Sequence, residues 1–335
     1  HQLNDDNQND DAILFKPDKS YRMSQSGGRN RPNNLLSGQN HPNGVIINYY
    51  IKNLKADDKL RIDIENKDGS VVRTFTNKQD KYPKIVNNDN NKMIGNPVLS
   101  NPNDIDNALS SDNYGSLSPK SGGNRLIWDM RYPGFISFEG MVLYSSPNVG
   151  PKVTPGKYNI KMTYNNKILQ EEFEIVKDPR VKISQADYED QLEFLIKVRD
   201  EVSRANQKII DIRDIKTNMI FISEKSRNNV ELQEMINKYL TDISKIENNI
   251  HMTKNQSRQD PLNYGIRINN RIAFLLADSQ RGDYPPTDQA KEFFIQVKEE
   301  LDSEITKLDA LIDKHSQKIE NYIEENKDEL ISLNN

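Results

Sequence analysis

The sequence predicts two architectures in succession, an antiparallel Ig-like β-sandwich followed by an antiparallel α-helical bundle. Three observations predict it. Up to about Pro179 apolar residues alternate at every second position, as in Gly44-Val-Ile-Ile-Asn-Tyr-Tyr-Ile51 and Lys157-Tyr-Asn-Ile-Lys-Met-Thr-Tyr164. Beyond it they recur every three or four, as in Leu195, Val198, Val202, Ala205, Ile209 and Ile212. Period two sends side chains to alternate faces of a strand, whereas a 3–4 rhythm lines them along one stripe of a helix. Length is the third: 335 residues have room for two hydrophobic cores.

Residues 1–42 read as a linker with one short extended segment, Ala12-Ile-Leu-Phe-Lys-Pro17. His1 to Asp11 is rich in Asn, Asp and Gln, a composition that cannot bury enough apolar surface to order itself. The chain opens without Met or a charged-then-apolar leader, so the expectation is the tail of a longer polypeptide, with a removed leader as the other explanation. The sandwich is placed at 43–178. Its first strand is Val45–Ile51, with Val45, Ile47 and Tyr49 on one face. Leu60–Glu65 and Val71–Thr76 form a hairpin closed at Lys67-Asp68-Gly69, where an Asp-Gly pair supplies the positive φ of a tight turn. Residues 78–121 are Asn-rich and aperiodic. So long a connection is unusual in a compact domain, and is expected to be a surface excursion or to hide a weak strand or two.

The pattern resumes over Gly122–Pro133, with Leu126 and Trp128 pointing one way and Ile127 the other. After a turn at Pro155-Gly156, strands Tyr158–Thr163 and Ile168–Val176 are joined at Asn165-Asn166, residues that tolerate left-handed backbone. Six or so antiparallel strands with turns between them suggest an Ig-like sandwich. The helical part is placed at 184–333. Ser184 and Asp187 have the spacing of a capping box, and the first helix is expected to reach about Ile222. The second carries Leu232, Ile236, Tyr239, Ile243, Ile246 and Ile250. A polar break from Thr253 to Pro261 precedes a third over Ile266–Ala277, which Pro285-Pro286-Thr287 stops. The last uses Phe294, Val297, Leu301, Ile305, Leu308 and Ile312 and extends towards Leu330. Long stripes with short breaks imply antiparallel packing.

Composition narrows the chemistry. The 46 basic and 50 acidic residues are well mixed, leave a net charge of −4, and form no basic stripe with interleaved aromatics, so no nucleic-acid partner is expected. No apolar run approaches the length of a membrane-spanning helix. Cysteine is absent, which removes disulfides, thiol catalysis and cysteine-ligated metals. The histidines His1, His41, His251 and His315 are scattered, so no two share a zinc-binding helical spacing. Asp104/Asp106 and Glu171/Glu172 are acidic pairs, but glycoside cleavage needs two carboxyl groups held across a sugar on a rigid scaffold. These pairs fall in a loop and on a strand without an aromatic platform, and Asn103-Asp-Ile-Asp-Asn107 is only a fragment of a calcium loop. Trp128, the lone tryptophan, reads as core because it alternates with Leu126. Arg281-Gly282-Asp283 spells the tripeptide that adhesion receptors read, yet Gly282 is more simply expected to end a helix. Gly122-Gly123 reads as a turn, and neither a nucleophile elbow nor a phosphate-cradling loop is present. No catalytic, cofactor-binding or metal-binding residue is assigned, and no cofactor.

Several strings carry a resemblance. Gly44–Ile51, Leu60–Glu65 with Asp68-Gly-Ser-Val-Val-Arg-Thr-Phe75, Asn124-Arg-Leu-Ile-Trp-Asp-Met-Arg-Tyr-Pro133, Gly150-Pro151, Pro155-Gly156-Lys-Tyr158, Asp178-Pro-Arg-Val181 and Gln259-Asp-Pro-Leu-Asn263 follow in this order. Together they resemble the region after the propeller in large bacterial sortilin-like proteins, often labelled glycosyl hydrolases with BNR repeats. The resemblance covers roughly residues 13–315. It implies an exported protein, periplasmic, cell-surface or secreted, with an N-terminal β-propeller of the same polypeptide that performs any recognition or chemistry. This segment would be a non-catalytic structural or interaction module, the sandwich docking on the propeller and the helices bracing it or binding another protein or a glycan. The hydrolase label belongs to the propeller and assigns no residue here. The stretch 78–121 departs from the family in being longer and more polar. Two alternatives stay open: the C-terminal part of a secreted glycosidase- or peptidase-like hydrolase whose active site lies in the propeller, and a carbohydrate-binding accessory module.

Overall fold

Alternation becomes burial in the first half of the chain. The computed structural model describes residues 2, 7, 9–23, 42–77, 86–87, 93–94 and 115–326. Among them the strands are β1 (Ala12–Leu14), β2 (Ser20–Arg22), β3 (Val45–Ile51), β4 (Leu60–Asn66), β5 (Val71–Thr76), β6 (Val86–Asn87), β7 (Met93–Ile94), β8 (Gly122–Trp128), β9 (Gly156–Tyr164) and β10 (Lys167–Lys177). The helices are α1 (Gln185–Lys225), α2 (Val230–Ile250), α3 (Asp260–Tyr264), α4 (Ile268–Ser279) and α5 (Asp288–Glu325).

One sheet is ordered β1-β3-β8, with Leu14 opposite Tyr49 and Trp128 opposite Val45 in antiparallel register. A second is ordered β2-β10-β9-β4-β5. Its pairs are antiparallel except β2–β10, which runs parallel with Tyr21 opposite Val176. The sheet is therefore mixed, which corrects the wholly antiparallel expectation, and β2 lies where a loop was expected. Its code is inverted: Ser20 and Arg22 are buried and Tyr21 faces out, so hydrophobic alternation could not reveal it. The extended segment at Ala12 is a true strand. The β4–β5 hairpin turns at Gly69 with φ 83°, and the Asp68 carboxylate accepts from the Ser70 amide at 2.9 Å. Asn165, at φ 51°, makes the left-handed step between β9 and β10. Within 78–121 the ribbon β6–β7 and the segment 115–121 are described; the rest lies outside the described residues.

Both sheets supply one hydrophobic core, in which Ile47 and Ile51 join Ile62, Phe75, Ile160 and Met162. Trp128 is 1% exposed and meets Tyr158 and Phe173 edge-on, each at a centroid distance of 6.2 Å. Such edge-to-face contacts add to the large apolar area an indole buries.

The capping box at α1 forms as its spacing requires. Asp187 N donates to Ser184 Oγ at 3.1 Å and Ser184 N donates back to the Asp187 carboxylate at 3.1 Å. Asn229 caps α2 through Leu232 N at 2.9 Å, and Thr287 caps α5 through Ala290 N at 3.2 Å. The whole expected stripe of α2 is buried, from Leu232 to Ile250. On α5, Val297, Leu301 and Leu308 are buried while Phe294, Ile305 and Ile312 stay half-exposed. α2 packs on α5, where the rings of Tyr239 and His315 stack at 4.9 Å. α1 runs three residues past the expected end at Ile222, and α3 occupies the end of the expected polar break. Leu330 lies outside the described residues. No helix among the described residues is long and apolar enough to cross a membrane.

The chain divides into two compact units that interleave along the sequence. The first comprises His1–Phe135, Asn148–Ile196 and Ser279–Pro286; the second comprises Ile136–Pro147, Lys197–Asp278 and Thr287–Asn335. The segment 136–147, read as part of the sandwich, thus belongs with the helices, and 279–286 belongs with the strands.

Candidate functional site

The densest buried polar cluster of the first unit starts from the inverted strand β2. Arg22 is buried, and its Nε donates to the Val153 carbonyl at 2.8 Å. Its guanidinium lies over the Tyr188 ring, 4.6 Å from the centroid, and its Nη1 donates to Asp283 Oδ1. The second carboxylate oxygen of Asp283 accepts from Tyr188 Oη at 3.2 Å. Gln191, three residues further along α1, donates through Nε2 to the carbonyls of Gly282 at 2.7 Å and Ser279 at 3.1 Å. Beside this group, Trp128 Nε1 donates to the Arg131 carbonyl at 3.0 Å. Arg131 Nη1 in turn reaches the Gly150 carbonyl at 2.7 Å and Gln280 Oε1 at 2.9 Å. A Cβ on Gly150 would lie 1.9 Å from the Tyr132 carbonyl oxygen, so only glycine permits that approach.

The electrostatics follow from crowding. Arg22, Arg131 and Lys152 share their surroundings with the carboxylates of Asp283 and Asp129. Burial, reinforced by Arg131 and Arg22, pushes the Lys152 ammonium down to about 8, and its Nζ donates to the Met23 carbonyl at 2.9 Å. Burial pushes the Tyr188 hydroxyl up to about 12. Tyr188 therefore stays a neutral donor, and the cluster ties β2, the start of α1 and the 279–283 loop together.

The second unit has its own polar knot. His251 closes α2, donating its backbone N–H to the Glu247 carbonyl at 2.8 Å, and stands edge-on to Phe138 at 4.9 Å. Asn269 Nδ2 lies 3.2 Å from His251 Nδ1 and donates to Asn206 Oδ1 at 3.0 Å. Asn206 donates onward to the Ile136 carbonyl at 2.6 Å. Arg213 covers the Phe138 ring at 4.6 Å and donates to the Glu139 carbonyl at 2.7 Å. Burial, reinforced by the Arg213 charge, pushes His251 down to about 4, so the imidazole is neutral near pH 7. Burial opposes the charge of Glu247, but Lys216 at 2.6 Å and Arg213 at 3.0 Å outweigh it and hold the carboxyl below its usual range.

The residues singled out by sequence do not converge. Trp128 is core, as its alternation predicts. Asp283 is only 12% exposed at its side chain and both its oxygens are occupied, so the Arg281-Gly282-Asp283 tripeptide does not present its carboxylate. Gly282 does not end a helix either, since α4 stops at Ser279; a Cβ there would meet the Tyr284 ring at 2.9 Å. Glu172 is exposed on β10 and pairs with Lys157 at 2.9 Å, while Glu171 sits opposite Ile160 on β9. His315 stacks on Tyr239, and Asp104, Asp106, His1 and His41 lie outside the described residues. Among the described residues no group of three or more His, Cys, Asp or Glu is placed to hold a metal.

Two open depressions were also invisible in the sequence. One, of about 480 Å³, is lined by Phe15, Lys16, Lys19, Asn48 and Arg125 among others, and Lys19 is paired with Glu174 at 2.9 Å. The other, of about 510 Å³, lies beside α5, with Glu300 bound to Arg271 at 2.5 Å and Glu304 to Lys307 at 2.6 Å. No protein-family model matches the chain, and no curated protein matches it. Its function is read from its own geometry. Sequence reasoning passed over Arg22, Tyr188 and Gln191. One signal was available: Gln191 interrupts the buried stripe of Tyr188, Leu195, Val198 and Val202, and a polar residue in such a row needs a partner.

Proposed function

We propose that the chain is a non-catalytic structural and interaction module of a large exported protein, working beside an N-terminal β-propeller of the same polypeptide. In this reading the two sheets form an Ig-like β-sandwich and the helices an antiparallel bundle. One observation carries it: the groups best able to do chemistry are spent on the chain's own loops. Asp283 is held by Arg22 and Tyr188, Glu247 by Arg213 and Lys216, and His251 by Asn269. A catalytic acid or base has to reach a substrate proton, which these groups cannot do while so engaged. The core shared by both sheets supports the sandwich, and the packing of α2 on α5 supports the bundle. The strings behind the family resemblance hold core and turn positions, including Trp128, Gly150 and the Asp68-Gly69 hairpin, as expected of a conserved scaffold.

The experiment has two arms. The coding sequence upstream of His1 is read for propeller repeats, and that part, produced separately, is titrated into this chain by calorimetry. Saturable binding is expected; an upstream region without such repeats, or no heat of binding, removes the propeller partnership. In the second arm the chain is incubated with aryl glycosides and chromogenic peptides, and turnover that persists after rigorous purification overturns the non-catalytic reading.

A further inference from the structure

Beyond α2 the second unit builds a tight turn that holds apolar side chains in solvent. Asp260 organises it: its Oδ2 accepts from Gln256 N at 2.7 Å and Ser257 N at 2.9 Å, and its Oδ1 from Ser257 Oγ at 2.9 Å. Pro261 is buried at the first turn of α3, and Gly265, at φ 87°, returns its N–H to the Pro261 carbonyl at 3.0 Å. The backbone is thus specified. Yet every residue from Leu262 to Ile266 is exposed, with Leu262 at 57%, Tyr264 at 47% and Ile266 at 42%. Scattered apolar residues on a surface need no explanation, but three within five positions on a braced turn form a patch of the kind that marks contact sites.

Charge selects the partner. Between Thr253 and Arg271 the chain carries Lys254, Arg258, Arg267 and Arg271 against Asp260 alone, within a protein of net charge −4. Asp260 is already taken up by the turn, and the backbone amides of Gln256 and Ser257 hold its carboxyl below the usual range. Arg271 is committed to Glu300. Lys254 Nζ stands 5.9 Å from the Tyr264 ring centroid, at the border of the apolar patch. Arg267, next to Ile266, has a buried Nε without a hydrogen-bond partner among the described residues, a donor whose desolvation is uncompensated.

We propose that Leu262, Tyr264 and Ile266, bordered by Lys254, Arg258 and Arg267, form a docking surface for an acidic polypeptide segment that carries apolar anchor side chains. This rests on the reading of the chain as an interaction module. Aromatic anchors surrounded by arginines are the usual centre of such contacts, and complementary charge selects and orients the partner. A nucleic acid would use the cations and the tyrosine ring but would leave Leu262 and Ile266 unburied.

The test pans phage-displayed random peptides of about twelve residues against the whole chain, then measures the enriched peptides by fluorescence anisotropy. Enrichment of acidic peptides with aliphatic or aromatic anchors is expected. Loss of two anchors in the Leu262→Ser/Tyr264→Ala chain should weaken them about tenfold or more. Arg267→Gln should weaken them less, and raising salt from about 0.1 M to about 0.5 M should weaken binding to every variant that keeps its cations. All substituted side chains are exposed or at the surface, so an unchanged melting curve separates lost binding from lost folding. Enriched peptides that are not acidic, or that bind the double variant as tightly as the parent, overturn the proposal. So does binding of phosphatidylserine vesicles or a single-stranded oligonucleotide through these residues when no peptide binds. A chain that fails here but still binds its propeller loses only this surface; failure in both assays removes the interaction module as well.

Discussion

Asp283→Asn is the sharpest perturbation of the first unit, because it removes one charge and almost no volume. Arg22 and Asp283 pair with side chains only 6% and 12% exposed, so solvent screens them little. Removing the carboxylate charge leaves Arg22 a buried cation in surroundings that already hold Arg131 and Lys152. Breaking a buried pair from one side costs about 3–5 kcal/mol, because the remaining charge has lost water without gaining a partner. The assay is built into the chain. Trp128 is the only tryptophan and is buried in the core of this unit, so its emission on urea titration follows this unit and not the helical one. With a slope of about 2 kcal/mol per molar urea, the midpoint should fall by roughly 1.5–2.5 M. Replacing both partners, as Arg22→Met/Asp283→Leu, should recover most of the loss, since a well-packed apolar pair can match a buried ion pair. Asp283 is also one of the acids that hold the Lys152 proton, so in Asp283→Asn the Lys152 amine should titrate below about 8. A loss under about 1 kcal/mol, or a double variant no better than the sum of the singles, would refute the view of the pair as a buried, coupled unit.

Three other substitutions probe the remaining structure. Ser184→Ala breaks the capping box and should lower stability by about 1 kcal/mol in a thermal melt, while Ser184→Asp, which keeps an acceptor at the cap, should lose less. Gly150→Ala places a methyl 1.9 Å and 2.5 Å from the Tyr132 and Pro133 carbonyl oxygens, and no side-chain rotation relieves a clash with backbone. It should cost about 3 kcal/mol, read as an earlier Trp128 transition, and an unchanged midpoint would mean the loop is not held as described. His251 gives a pH dependence with a definite sign. Its folded pKa is about 4 against 6.5 unfolded, so between these values the unfolded chain binds the proton that the folded chain refuses. Stability of the helical unit should therefore be full above about pH 6.5 and fall by about 3 kcal/mol as pH drops towards 4. In His251→Gln this part of the pH dependence, followed by circular dichroism, should vanish; a profile identical to the parent would place the titration elsewhere.

The sequence by itself determined the local geometry. The alternation of Val45, Ile47, Tyr49 and Ile51 became the buried face of β3, and the stripe from Leu232 to Ile250 became the buried face of α2. Ser184 with Asp187, Asp68 with Gly69, and the left-handed Asn165 were readable because each acts on backbone groups within a few residues of itself. What a face packs against was not readable. Periodicity records which side of an element avoids water but carries no label for its partner. Strand β2 went unseen because its inward residues are Ser20 and Arg22, whose burial makes sense only once Asp283, 261 residues away, is in place. The segment 136–147 joined the helices through polar contacts such as Asn206 Nδ2 to the Ile136 carbonyl and Arg213 to the Glu139 carbonyl, and a backbone oxygen looks the same at every position of a sequence. Short-range rules thus chose strand or helix, whereas tertiary structure alone decided which charges, amides and loops would meet, because those pairings exist only after distant parts of the chain have been brought together.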